Sequence, residues 1–236
     1  MRLKEEFLKE NERLSRNIFV LLFRCLGSNL ALCLKNTDLT PNHLSIFSLV
    51  FSILAAFLLS TAAYWYFVLG ALSYQIAVVL DYSDGSLARL KGMSSFYGKW
   101  LDYNVDIVRE FLIIFGLCWG LCKQNADPAI WIAGIILCST NFVSDIISMT
   151  FKNFAFAKQK ASNLGSKNKL YELGKHFVNV RALRYFSMPF FAIMNQMFIY
   201  LIFFSGYSLF LSLVMAFGLG KIVKRQDKVR MPMKEG

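Results

Sequence analysis

Six long apolar runs, near residues 44–62, 64–82, 100–122, 128–151, 184–204 and 207–223, set the terms on which this chain can fold. Each holds roughly 17–25 residues, and about 20 helical residues cross the ~30 Å hydrocarbon core of a bilayer. Hydrophobic residues make up 56% of the 236 residues and charged residues only 17%. That is more apolar surface than a soluble core of this size can bury, and mean hydropathy is +0.46. Inside hydrocarbon the backbone must satisfy its own hydrogen bonds, so the runs are expected to be helices. The expected fold is all-α: a polytopic membrane protein with six transmembrane helices.

The ends differ from the middle. Residues 1–16 are charged, with Leu3, Phe7 and Leu14 on one helical stripe, which predicts an amphipathic helix lying in the membrane interface. Residues 17–34 are apolar but interrupted by Arg24, Gly27 and Asn29, and read as interfacial or partly embedded. The chain thus divides into an N-terminal interfacial segment (1–43), a six-helix membrane domain (44–223) and a basic tail (224–236).

Six crossings leave both ends on one side, and the charge pattern agrees. Of 26 Lys and Arg residues, 24 lie in 1–43, 89–99, 152–184 and 221–236. Only Lys123 falls on the opposite face, and Arg109 lies within a span. By the positive-inside rule the termini and the 89–99 and 152–184 connections are cytoplasmic, 152–180 reading as a long solvated loop against anionic lipid. The net charge of +11 therefore follows topology and gives no motive for a nucleic-acid partner. The five cysteines show no zinc-ligand spacing and read as packing residues.

Four aspartates sit where a bilayer disfavours them. Asp81 and Asp84 are three apart near the end of the second run, and Asp102 and Asp106 are four apart near the start of the third. On helices each pair projects from one face. A charged Asp at the centre of a membrane helix costs roughly 2.5–3.5 kcal/mol, less near its ends, and mutual repulsion adds to that. Hard divalent cations bound through oxygen, Mg2+ or Mn2+, are the natural neutralisers, and a two-ion cluster could grip a phosphate. Between the pairs, Gly85 lets a ligand approach the backbone, Arg89 can offer a planar fork to a diphosphate, and Gly98 allows close helix packing.

Residues 81–106 read Asp-x2-Asp-Gly-x2-Ala-Arg-x8-Gly-x3-Asp-x3-Asp. At every defined position this resembles the signature of the CDP-alcohol phosphotransferase (CDP-alcohol phosphatidyltransferase) family. The span count and the Pro41–Asn42 pair before the first span are similar too. The resemblance implies transfer of a substituted phosphate group from a CDP-alcohol, such as CDP-diacylglycerol, to an acceptor hydroxyl, with release of CMP. It implies that Asp81, Asp84 and Asp102 hold one divalent ion. Asp81, Asp102 and Asp106 would hold a second, with Asp106 as the general base. It also places Asn42, Asp84, Gly85 and Arg89 against the CDP moiety, and implies a homodimer among membrane lipids.

Beyond the signature the residues say less. Arg109, Arg181 and Arg184 could together hold an acceptor phosphate, or else meet lipid headgroups or end a helix. Asp145, inside the fourth run, is either functional or bonded to a polar neighbour. His43 reads as interfacial. A cation transporter or channel would also carry intramembrane carboxylates, and is the alternative reading, as is an inactive lipid-binding scaffold. Against transport, Gly85, Arg89 and Gly98 accompany the acids, and the acids gather at one membrane face.

Overall fold

The computed structural model describes residues 18–159 and 169–230, with side chains over 18–146 and 181–217. The described chain is all-helical: α1 (Ile18–Leu34), α2 (Pro41–Leu59), α3 (Tyr64–Lys91), α4 (Phe96–Gln124), α5 (Pro128–Gln159), α6 (Lys169–Ile193) and α7 (Met197–Arg230). The expected amphipathic helix over 1–16 lies outside the described residues, as does the end of the tail.

Among the described residues, four helices are long and apolar enough to cross a membrane: Pro41–Leu59, Tyr64–Lys91, Pro128–Ile146 and Met197–Phe217. α4 and α6 have the length, but Arg109 and Glu110 interrupt one and Arg181 and Arg184 the other. Ile53, Phe57, Leu69, Phe115, Ile135 and Phe203 are exposed on the outside of the bundle, as a lipid-facing surface requires. Inside, Phe67, Tyr74, Leu117, Leu137, Met188 and Phe204 form one continuous core. α1 is a shorter apolar helix of 17 residues. It packs on α3 with Phe23 and Gly27 buried, and the Phe23 ring stacks on Tyr82 at 5.9 Å.

Local chemistry sets the helix ends. Thr40 caps α2 from an extended backbone, Pro41 takes the first helical position, and the Thr40 N–H donates to His43 Nδ1 at 3.3 Å. His43, expected at the interface, therefore closes a capping box. α3 runs on past the apolar run to Lys91, where Gly92 takes the left-handed conformation at φ 66° and ends it. Lys91 Nζ then donates to the carbonyls of Thr37 and Leu39 at 2.6 and 2.8 Å, tying this end to the α1–α2 connection. Ser95 opens α4, its Oγ accepting from the Gly98 N–H at 2.9 Å.

α3 and α4 both pack extensively on α2 but hardly on each other. The α2–α4 crossing is close because Gly116 and Gly120 face it: a Cβ would stand 2.4 Å from the Ala56 carbonyl oxygen or 2.0 Å from that of Leu59. α2 thus acts as a spine, holding the ends of α3 and α4 either side of a cleft.

Three expectations are corrected. The fifth run, expected over 184–204, straddles a turn: α6 ends at Ile193 and α7 starts at Met197, with Asn195 left-handed at φ 55° between them. Apolar residues flank that turn on both sides, so hydropathy does not mark it. Gly206, where the runs were divided, lies within α7. The supposed 152–180 loop is largely helix, since α5 continues to Gln159 and α6 begins at Lys169. Charge there marks where hydrocarbon ends, not where helix ends. For the same reason α7 continues to Arg230, into the expected tail.

Candidate active site

The aspartate pairs meet across the cleft. One carboxylate oxygen each from Asp81, Asp102 and Asp106 lies within 4.8 Å of the others. Asp84 stands one turn beyond Asp81, and its Oδ2 accepts a 2.6 Å hydrogen bond from Ser45 of α2. Such a set of hard oxygen donors suits Mg2+ or Mn2+.

The Arg109 guanidinium lies inside this acidic group. Arg109 is 2% exposed, with Nη1 2.7 Å from Asp81 Oδ1. Its Nη1 donates to Ser48 Oγ at 3.2 Å, and its Nη2 donates to Asp81 Oδ2 at 3.3 Å and to Asp106 Oδ1. Asp81 Oδ1 is buried and has no aligned hydrogen-bond donor of its own.

Members of the acid cluster line two cavities. The first, about 210 Å³, is lined by Asn42, Asp84, Gly85, Arg89, Gly98 and Asp102 among others. Arg89 Nη2 donates to Ser86 Oγ at 3.2 Å. Gly98 brings α4 close to the first turn of α2, since a Cβ there would stand 3.3 Å from Asn42 Oδ1. The second cavity, about 290 Å³, includes Asp106, Glu110, Asn141, Phe142, Asp145 and Arg181 in its wall. Asp102 faces one space and Asp106 the other, a single helical turn apart.

The structure therefore brings Asp81, Asp102 and Asp106 together, and sets Asn42, Asp84, Gly85, Arg89 and Asp102 around one cavity. It does not gather the three arginines into one anion site. Arg109 is held in the acid cluster. Arg181 is on the second cavity, paired with Asp145. Arg184 is buried and donates to Glu110 Oε2, while Tyr185 donates to Glu110 Oε1. Spacing three residues on a helix separates Arg181 from Arg184 by about 60° around the axis, enough to give them different partners. Ser45 and Ser48 escaped the sequence reading, and Glu110, seen there within the third run, was given no role. Glu110 carries the signal that singled out Asp145, a carboxylate within a span. The serines carry none before the fold places α2 against the acids.

The profile of the CDP-alcohol phosphatidyltransferase family matches residues 38–220. A phosphatidylinositol phosphate synthase of Mycobacteroides abscessus is 26% identical over 165 residues, 70% of each chain. An archaetidylinositol phosphate synthase of Pyrococcus horikoshii is 32% identical over 89 residues, 37% of this chain and 45% of that one. Among solved structures, that of Mycobacterium tuberculosis phosphatidylinositol phosphate synthase with CDP-DAG bound shares the fold at a TM-score of 0.50. It covers 80% of this chain and 92% of its own, at 21% identity. Profile, motif and converging aspartates decide between the transferase and transporter readings: the chain belongs to the CDP-alcohol phosphatidyltransferase family, membrane enzymes of phospholipid biosynthesis that transfer a substituted phosphate group.

Proposed function

We propose that the chain transfers a phosphatidyl group from CDP-diacylglycerol to a hydroxyl of a phosphorylated polyol, releasing CMP. The observation that carries this reading is a pair of cavities lined by members of one acid cluster, with Asp102 on one wall and Asp106 on the other. A transferase needs donor and acceptor on either side of its reacting groups. The CDP-DAG bound to the mycobacterial structure supports the donor, and the names of both relatives support an inositol phosphate as acceptor.

The cleft residues divide the work. Asn42, Gly85 and Arg89 line the donor cavity, where Gly85 leaves the backbone open and Arg89 can fork onto the diphosphate. Asp81, Asp84 and Asp102 are the residues that would hold a divalent ion beside it. Such an ion, when bound, supplies neutralisation of the diphosphate and makes CMP a better leaving group. Asp106 faces the acceptor cavity and takes the proton of the attacking hydroxyl. Arg181 is the described cation on that cavity's wall, set against Asp145. That leaves Arg109 and Arg184 outside the acceptor site, with roles in the framework.

A cytoplasmic site follows from charge. The connections at 60–63, 125–127 and 194–196 contain no Lys or Arg, whereas Arg89, Lys91 and Lys99 flank the turn beside the acids. With α4 and α6 counted as crossings, there are six and the moved α6–α7 turn keeps its side.

The test is CMP release by the purified protein in nanodiscs with Mg2+. CDP-diacylglycerol plus inositol 1-phosphate is expected to give CMP, with a smaller rate from inositol or glycerol 3-phosphate. Chelation by EDTA should remove at least ~99% of the rate, as expected when a metal supplies several kcal/mol of charge stabilisation. Absence of CMP from every CDP-alcohol tried, with every acceptor, would contradict the proposal.

A further inference from the structure

We infer that Asp145 is a specificity-determining residue of the second cavity: its carboxylate occupies Arg181 until an acceptor brings both a phosphate for the arginine and a hydroxyl for the carboxylate. The inference deepens the function proposed above and rests on its reading of this cavity as the acceptor site.

Three carboxylates line the cavity: Asp106, Glu110 and Asp145. Two have duties already. Asp106 is the proposed base, and Glu110 gives one oxygen to Arg184 and the other to Tyr185. Asp145 has neither duty. It comes from α5 and meets Arg181 of α6 in a two-pronged pair: Arg181 Nη1 donates to Asp145 Oδ2 at 3.3 Å, and Nη2 donates to Oδ1. A ligand in the cavity can reach this pair. The Arg181 and Asp145 side chains are 22% and 18% exposed, against 4% and 12% for Arg184 and Glu110. A partly exposed ion pair contributes little to stability, so its partners exchange at small cost, whereas breaking a buried one is expensive.

Charge then decides what enters. An anion that reaches Arg181 meets the Asp145 carboxylate beside it, with Asp106 and Glu110 in the same wall. Like charges brought together in a partly desolvated cavity cost affinity. A small inorganic anion with no proton to donate, such as sulfate, bears that cost in full. A polyol phosphate carries the same charge together with hydroxyls, and a hydroxyl can donate to the carboxylate that Arg181 has left. Ser139 and Asn141 of α5 lie in the same wall and offer polar partners to further hydroxyls. Such a ligand replaces both halves of the pair, and a bare anion replaces only one. A site that leaves one of its own polar groups unanswered by the wrong ligand discriminates more sharply than one built on attraction alone.

The test is competitive inhibition of CMP release by sodium sulfate, measured against inositol 1-phosphate in nanodiscs with CDP-diacylglycerol at fixed free Mg2+. In the wild-type protein the sulfate inhibition constant should exceed the KM for inositol 1-phosphate by at least about 30-fold. In Asp145→Asn, which keeps the side-chain volume and removes the charge, that ratio should fall about tenfold. Asp145→Glu keeps the charge and should hold the ratio within about threefold of the wild-type value. An unchanged ratio in Asp145→Asn would overturn the inference and leave the proposed function standing. So would sulfate inhibiting the wild-type protein at concentrations near the KM, a result that needs no variant to fold. No CMP release from the wild-type protein with any phosphorylated polyol tried would instead remove the acceptor reading, and the inference with it.

Discussion

Replacing Asp106 with Asn is expected to cut CMP release about 10³-fold, within the ~10²–10⁴ that a positioned base contributes, while leaving donor binding nearly unchanged. The split follows from position. Asp106 lines the proposed acceptor cavity, whereas Asn42, Asp84, Gly85, Arg89 and Asp102 line the proposed donor cavity. Asn has nearly the same volume as Asp and can still meet Arg109, which keeps Asp81 as its counter-charge. What the variant loses is a carboxylate able to take a proton. Turnover should fall with little change in the affinity for a CDP-alcohol measured by titration calorimetry. A variant retaining near-normal turnover would move the base elsewhere.

The second large effect is on stability. Glu110→Gln should destabilise the bundle by about 3–5 kcal/mol, because it strands the Arg184 guanidinium in the interior. Arg184 is 4% exposed, its Nη1 already lacks a partner, and Glu110 is its only described carboxylate contact. The same carboxylate accepts from Tyr185, which stacks edge-on against Tyr74 at 5.5 Å, and the Arg184 carbonyl accepts from Tyr200 at 3.2 Å. Glu110 therefore ties α4 to α6, and through α6 to α3 and α7. The double variant Glu110→Gln with Arg184→Met should recover most of the loss, since removing both charges removes the unpaired one. Denaturant unfolding in detergent micelles checks both. Equal stability of wild type and Glu110→Gln would refute the anchoring role.

Hydropathy made α2, α3 and α5 legible because each is a long apolar run bounded by Pro, Gly or a charged connection. The aspartate cluster was legible for a different reason: fixed spacings on two helices joined by a four-residue turn leave few ways for the acids to face. The α6–α7 turn was not legible, because Ala192, Ile193 and Met194 continue straight into Met197 and Phe198 with only Asn195 and Gln196 to mark the reversal. Nor were the partners of the arginines. Arg109, Arg181 and Arg184 read alike along the chain, and tertiary neighbours separate them: Asp81 and Ser48 for the first, Asp145 for the second, Glu110 for the third. A helical face can be inferred from spacing, but the opposite face that meets it comes from a different stretch of chain.

At the centre of this account is the proposal that Asp81, Asp84 and Asp102 hold a divalent ion beside the donor's diphosphate. The most direct test is an anomalous-scattering map from crystals grown with Mn2+ and CDP-diacylglycerol. The account predicts a peak bounded by those three carboxylates, with diphosphate oxygens completing the coordination and Arg89 alongside. A map with the nucleotide in place and no peak among the aspartates, or with the nucleotide bound away from the cavity that Gly85 lines, would contradict it.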